Sequence, residues 1–449
     1  MAKKTGIQGF IDRFQGDKII WMIVLMLIMI SILAISSSTP LLALQMKSDR
    51  SAIIGEQIIV AIFGLAIILI SYFAIRRIGF LRFVSQFGFF FSALMLICLA
   101  IHIRLPFLRA VNLNGATRAL SIFGFQLHVF EFVKVFMVMY LAWACQAYQE
   151  KDGFVLLSTF GGKYAKNKNL QVLLYIFLPV FLVIGLILMG SVSSALFIGM
   201  IMMVTVFIGG IRIKDCKYSL VAGVVGSLLL VAILAVTGSA IFERIPTAVN
   251  RVLRATEDPE EQLLKLQRGT IEFQEALDKV KQPISAKVAV SEGGIIGKGP
   301  GRSTQRYVVP VMFEDYMFSF IVEEYGILGA LLVIILYGSL LARGSILAKN
   351  CKSAFTKVAI GGLVIMISGQ AMMHMMINVD LGPLTGQTLP MISHGNSSFL
   401  AFSLAFGIIL SISKMVKKKM DKEAAQAEPI LPDELRDRMN DLDAMENIA

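Results

Sequence analysis

The chain of 449 residues is 56% hydrophobic and only 16% charged. Soluble globular proteins carry about a quarter charged residues, so an ordinary soluble enzyme is excluded and a polytopic membrane protein is indicated. The net charge of +11 gathers in alternate loops, as membrane orientation requires, and nucleic acid is not an expected partner.

Apolar runs of about twenty residues mark spanning helices. Ten are read, an all-α fold: Ile19–Ser37, Ile54–Ile75, Phe83–Ile103, Val129–Ala147, Leu170–Met189, Val192–Gly210, Leu220–Ile241, Met312–Leu341, Val358–Ile377 and Ile392–Met415. The first is too long and wrongly flanked for a cleaved signal peptide. Lys3, Lys4 and Arg13 precede it; Arg76 and Arg77, Lys163 and Lys166, Arg212 and Lys214, Lys349 and Lys352, then Lys417 and Lys418 follow at every second connection. That alternation predicts both termini on the cytoplasmic side. The chain divides into a cytoplasmic segment (1–18), a membrane domain (19–415) and an acidic cytoplasmic tail (416–449), expected to be mostly disordered. Cys98, Cys145, Cys216 and Cys351 show neither metal-ligand spacing nor a disulfide framework.

Two connections on the opposite, extracytoplasmic side are long. Residues 104–128 contain NLNGATRAL, a polar, turn-rich run that reads as a solvated loop. Residues 242–311, between spans seven and eight, form the large loop. In it Asp258, Pro259 and Glu261 give an N-cap, a first-turn proline and a capping-box glutamate. The amphipathic helix that follows is expected to end at Pro283.

The chemistry concentrates in Ser291–Ala330. A glycine-rich basic run carrying Lys298, Arg302 and Arg306 passes through Pro310 to Glu314, Asp315, Glu323 and Glu324. Ionisable groups at a membrane edge are costly and point to function. Glycine lets backbone amides approach an anion, Lys and Arg neutralise phosphate, and a buried Asp can serve as general base. No Walker loop, dinucleotide fingerprint, HExxH or nucleophile elbow is present. A membrane-borne pyrophosphate sugar suits such a site.

The run GGIIGKGPGRSTQRYVVP followed by EDYMFSFIVEEYGILGA resembles the signature of the SEDS family, the peptidoglycan polymerases of cell shape, elongation, division and sporulation. Asp315 falls on that family's essential aspartate, Glu323 and Glu324 on its paired glutamates and Gly326 on the following glycine. A second match is GPLTGQTLPMISHGNSS with the preceding Asn378; a third is NGATR, Asn114 to Arg118, with Glu131 and Lys134 at the family's spacing. The resemblance covers roughly residues 10–415. It departs at Ala119, where the family has tryptophan, at His128–Phe130, at Glu314, His394 and Asn396, and in the reduced turn Gly190–Ala195.

The resemblance implies a peptidoglycan glycosyltransferase of the bacterial inner (cytoplasmic) membrane. It would polymerise lipid II into glycan strands and release undecaprenyl pyrophosphate. Asp315 would accept or position the acceptor hydroxyl's proton. Lys298, Arg302 and Arg306, with Glu323, Arg118 and Ser393, would bind substrate. No cofactor is required by the sequence; a divalent cation, Mg2+ or Mn2+, is allowed. Expected partners are a class B penicillin-binding transpeptidase and other divisome or elongasome membrane proteins. TGQ at Thr385–Gln387 and the acidic tail are closer to the division branch than to the elongation branch. A lipid II flippase and a weakened scaffold that recruits a transpeptidase are the alternatives.

Overall fold

Where apolar runs are longest the backbone is helical, because only a helix satisfies its own N–H and C=O groups without water. The computed structural model describes residues 15–38, 49–113, 116–150, 154, 167–223, 225–226, 270–309, 312–382 and 386–427. In chain order the helices are α1 (Lys18–Ser38), α2 (Arg50–Ala74), α3 (Ile78–Ser85), α4 (Gly88–Ala100), α5 (Val129–Gln149), α6 (Lys168–Leu188), α7 (Val192–Ile208), α8 (Ile271–Gly293), α9 (Met317–Lys349), α10 (Ala354–Asn378) and α11 (Asn396–Ala427). Among the described residues eight helices are long and apolar enough to cross a membrane, with α3 and α4 counted as one and α7 as a shorter apolar helix. Predicted span seven lies mostly outside the described residues, as do the start of the large-loop helix and the tail beyond Ala427.

Several boundaries differ from expectation, among them the far end of α9, which runs on past Leu341 to Lys349. The third span bends between Ser85 and Gly88. The last helix runs on past Met415 to Ala427. Most informative, α8 does not stop at Pro283 but continues through it to Gly293. Proline forfeits one helical hydrogen bond, but the turns beyond it are held by packing on α9. Ser285, Ala286 and Ala289 are buried, and Gly293 lies so close that a Cβ would sit 2.2 Å from the Val322 carbonyl oxygen.

The chain is also not wholly helical. The connection expected to be a solvated loop is an antiparallel sheet of three strands, β1 (Leu108–Leu113), β2 (Ala116–Ile122) and β3 (Phe125–His128), in that order. ATRALSI alternates only weakly, and its polar residues give it the character of a solvated turn. β3 runs directly into α5.

Helices in lipid gain no hydrophobic drive from one another and associate by close packing and interhelical hydrogen bonds. α2 lies on α11, α9 on α10, and α5 on α10 and α7. Ser411 Oγ on α11 donates to the Ser71 carbonyl on α2 at 2.9 Å. α5, α7 and the segment before α11 frame the space beneath the sheet.

Candidate active site

The architecture of the site begins with a broken helix. At Gly326, φ 67° and ψ −164° interrupt α9, and in a bilayer the freed backbone groups must find partners. The glycine-rich run supplies them. Lys298 N–H donates to the Glu323 carbonyl and Gly299 N–H to the Glu324 carbonyl, both at 2.9 Å; in return Ile327 N–H donates to the Gly294 carbonyl at 3.0 Å. No side chain fits between. A Cβ on Gly326 would lie 2.3 Å from the Ile295 carbonyl oxygen, and one on Gly297 2.3 Å from that of Glu324. The GGIIGKG run and EEYG are two halves of one backbone joint.

The paired glutamates turn their carboxylates back onto the loop. Glu323 accepts from Lys298 Nζ at 2.6 Å and from the Thr304 amide at 2.8 Å. Glu324 accepts from Ser37 Oγ on α1 at 2.6 Å and from the Gly301 amide at 2.9 Å. Arg306 is buried, its guanidinium 3.9 Å from Glu324 and donating to the Ser37 carbonyl at 2.8 Å and the Gly301 carbonyl at 2.6 Å. Burial alone would lower the Lys298 pKa, but its bonds to Glu292 and Glu323 prevail and hold it above the ordinary lysine range. Lys298, Arg306 and Glu323 thus spend their charge on fastening the loop to α9 and α1. Arg302 is exposed, and its guanidinium stays free of internal partners among the described residues.

Asp315 sits in the turn that leads into α9, and the turn is held from behind. Its carbonyl accepts from Asn378 Nδ2 at 3.0 Å, the Glu314 carbonyl from Ser393 Oγ at 2.7 Å, and the Phe313 carbonyl from the His394 amide at 2.9 Å. The first amides of α9 are orphan donors. Asn378 Oδ1, from α10, accepts the Ser319 amide at 2.9 Å and so caps the helix from outside. The carboxyl of Asp315 is thereby aimed into a cavity of ≈340 Å³.

That cavity is the meeting point of the sheet, α5, α7 and the segment before α11. Glu314, Asp315, Gly386 and Gln387 form one wall; Arg118, Gln126 and His128 of the sheet form another; Glu131, Lys134 and Ser194 complete the floor. Arg118 reaches it through a backbone irregularity. Val111 pairs with Ala119 and Asn112 with Thr117, which leaves Arg118 as the extra residue of a β-bulge. Bulges re-aim side chains in this way. Lys134 is buried and held by Glu131 at 2.8 Å and Gln370 Oε1 at 2.5 Å. Ser398 Oγ also donates to Glu131 at 3.2 Å.

Electrostatics divide the cavity's acids from its bases. Burial pushes the Asp315 carboxyl up to about 6, with Arg118 pulling the other way. Burial, and then the charge of Asp315, raises Glu314 to about 7. Burial lowers His128, opposed by Glu131 and assisted by Arg118. A carboxyl near the operating pH beside cations can take a proton from a hydroxyl and tolerate a developing anion.

Of the residues singled out in sequence, Asp315 and Arg118 are brought together. Lys298, Arg306 and Glu323 are not among the cavity's lining; they belong to the joint. Ser393 stands behind Glu314. Gln126, His128, Ser194 and Gln387 line the cavity without having been singled out for binding. Gln387 lay within the TGQ run, and His128 and Ser194 within stretches that depart from the family pattern; Gln126 carried no signal.

The family model of the FtsW/RodA/SpoVE cell cycle proteins matches residues 17–418. The chain belongs to that family. Two relatives, both called probable peptidoglycan glycosyltransferase FtsW, are from Caulobacter vibrioides and Methylomonas methanica. The first is 27% identical over 317 residues, 70% of this chain and 69% of the relative. The second is 27% identical over 410 residues, 89% and 92% of the two chains. A solved chain from a peptidoglycan synthase complex that coordinates polymerisation and crosslinking shares the fold. Its TM-score is 0.59 at 20% identity, covering 89% of this chain and 98% of that one. The polytopic membrane reading and the family resemblance thus rest on a match along most of the chain, with eight spans among the described residues.

Proposed function

We propose that this FtsW/RodA/SpoVE-family protein is a peptidoglycan glycosyltransferase that polymerises lipid II, with Asp315 as its base. The observation that carries the assignment is the cavity that Asp315 lines together with Arg118 and Lys134; burial there raises the carboxyl to about 6. The acceptor hydroxyl attacks the anomeric carbon of the donor sugar. A new glycosidic C–O bond forms, the C–O bond to pyrophosphate breaks, and its electron pair leaves with undecaprenyl pyrophosphate. Asp315 takes the hydroxyl proton. Arg118 and Lys134 place fixed positive charge where the pyrophosphate anion develops, and need little reorganisation because each is already held. The exposed Arg302 meets substrate at the loop.

Glu314 also offers the oxygen donors that Mg2+ shares with phosphate groups. A bound divalent cation would neutralise pyrophosphate charge, held by Glu314 and the phosphates, with Asp315 left free to take the proton. We assign both termini to the cytoplasm and the cavity to the opposite side, supported by basic residues in alternate loops. A class B penicillin-binding transpeptidase is the expected partner, in keeping with the synthase complex whose chain shares this fold.

The test is direct. Purified protein, with and without its transpeptidase, is given lipid II in detergent and assayed for glycan polymer. Polymer from wild type and none from Asp315→Asn is the expected result. Equal polymer from both removes Asp315 from the chemistry. Headgroup translocation into sealed vesicles without polymer replaces the reading with that of a flippase.

A further inference from the structure

The turn between β2 and β3 presents an apolar surface that the catalytic reading does not use. Phe123 is 86% exposed and Phe107 51%, and Leu105 and Phe125 are exposed beside them. The rings of Phe107 and Phe123 stack at 6.1 Å, 26° from parallel, and the Phe123 amide donates to the Phe107 carbonyl at 3.0 Å. The patch is therefore a built unit rather than four scattered side chains. Phe123 holds φ at 50° and Gly124 at 89°, as a two-residue hairpin turn requires. Phenylalanine is an uncommon choice for positive φ; Asn or Gly there would be easier and soluble.

Nothing about the sheet places it far from the bilayer. α4 ends at Ala100 and α5 begins at Val129, and both belong to apolar spans. Leu105 and Phe125 lie within a few residues of those helix ends. Arg104 and Arg109, both exposed, are paired across the chain beside the aromatic tip. Aromatic side chains flanked by arginine match the interfacial zone of a bilayer, where rings sit at headgroup depth and cations meet lipid phosphate.

We propose that the β2–β3 turn is a membrane anchor, inserting Phe107, Phe123 and Phe125 into the leaflet on the cavity's side, with Arg104 and Arg109 on its anionic headgroups. The anchor rests on the exposed aromatics and stands without the glycosyltransferase reading. Its consequence for the cavity is mechanical. The same strands carry Arg118, Gln126 and His128, and β3 is tied to α11 by Ser397 Oγ donating to the Gln126 carbonyl at 2.8 Å. A tip fixed in lipid and a base fixed on α11 hold this wall of the cavity at both ends. A lipid-linked substrate travelling in that leaflet then meets the wall at a set depth.

Phe123→Trp and, separately, Phe107→Trp test the anchor in the full-length protein. Each variant is reconstituted into nanodiscs of phosphatidylglycerol brominated high on the acyl chain. The fluorescence that the new tryptophan adds above the native Trp21 and Trp143 is then followed. An anchor seated within about 10 Å of the headgroup boundary loses about half of that added signal to the brominated lipid and resists aqueous iodide. Quenching by iodide and not by brominated lipid, in both variants, overturns the proposal. So does an added signal shielded from both quenchers only when a transpeptidase partner is present, which would make the patch a protein-docking surface. Two positions guard against the failure of either variant to fold, and neither belongs to the catalytic machinery.

Discussion

Replacing Asp315 with asparagine should remove activity and strengthen the fold at the same time. An ordinary aspartate titrates at 3.8, whereas Asp315 sits at about 6 because its surroundings disfavour the charge. A carboxyl whose folded pKa is raised contributes stability that is fully present below the unfolded value and is lost as pH rises through the folded one. At about 1.4 kcal/mol per pH unit, ionised Asp315 opposes folding by up to about 3 kcal/mol near pH 7. Partial exposure of the side chain reduces this toward about 1 kcal/mol. Asparagine keeps the shape and drops the charge. Thermal unfolding in detergent should therefore show the variant melting a few degrees above wild type near pH 7. The gap should close as pH falls through the interval from about 6 to 3.8, where wild type becomes protonated. Polymerisation falls by about a hundredfold or more. A variant that is inactive yet no more stable, or one whose added stability is unchanged at low pH, would show that burial does not strain this carboxyl.

Three further outcomes follow from the same geometry. The kcat/KM of wild type should rise with pH through about 6, since the base must be ionised, and Arg118→Gln should move that acid limb upward because the guanidinium favours the carboxylate; an unmoved limb in a pH-rate profile excludes Arg118 as neighbour. Gly326→Ala should destabilise by at least about 2 kcal/mol, because a Cβ would collide with the Ile295 carbonyl at a backbone φ of 67°, and expression with thermal unfolding reads it. Arg306→Ala should cost about 3 kcal/mol by removing the buried cation near Glu324 and the donor to the Ser37 and Gly301 carbonyls, whereas Arg302→Ala should leave the melting temperature near wild type and raise KM for lipid II; reversed phenotypes would mean that the roles of joint and contact are exchanged.

Sequence located most of the described helices readily, and it drew attention to Asp315 as a charge at a membrane edge. Both are announced locally, the first by apolar length and the second by a charged residue beside a membrane segment. It could not reach the destination of the cations. Lys298, Arg302 and Arg306 look alike along the chain, and only folding decides that Arg306 meets the Ser37 and Gly301 carbonyls while Arg302 faces out. Nor could it see that α8 survives Pro283, since the compensating contacts come from Val322, far along the chain. The sheet was hidden for a related reason. Its short strands are only partly buried, so ATRALSI gives little apolar signal, and the bulge that delivers Arg118 interrupts what alternation there is. Ala119 is buried and pairs with His128 across β2 and β3.

The joint between the glycine run and the kinked helix has a consequence for how this chain can be re-engineered. Gly294–Gly299 and Glu323–Leu328 share backbone bonds, so an insertion in one half shifts its register against the other and leaves carbonyls without partners. Lengthening is tolerated only outside that pair. Chimeras that exchange outer loops between relatives should therefore carry the two halves as one block, with crossover points before Gly293 and after Leu328. What looks like two separate motifs is a single heritable part.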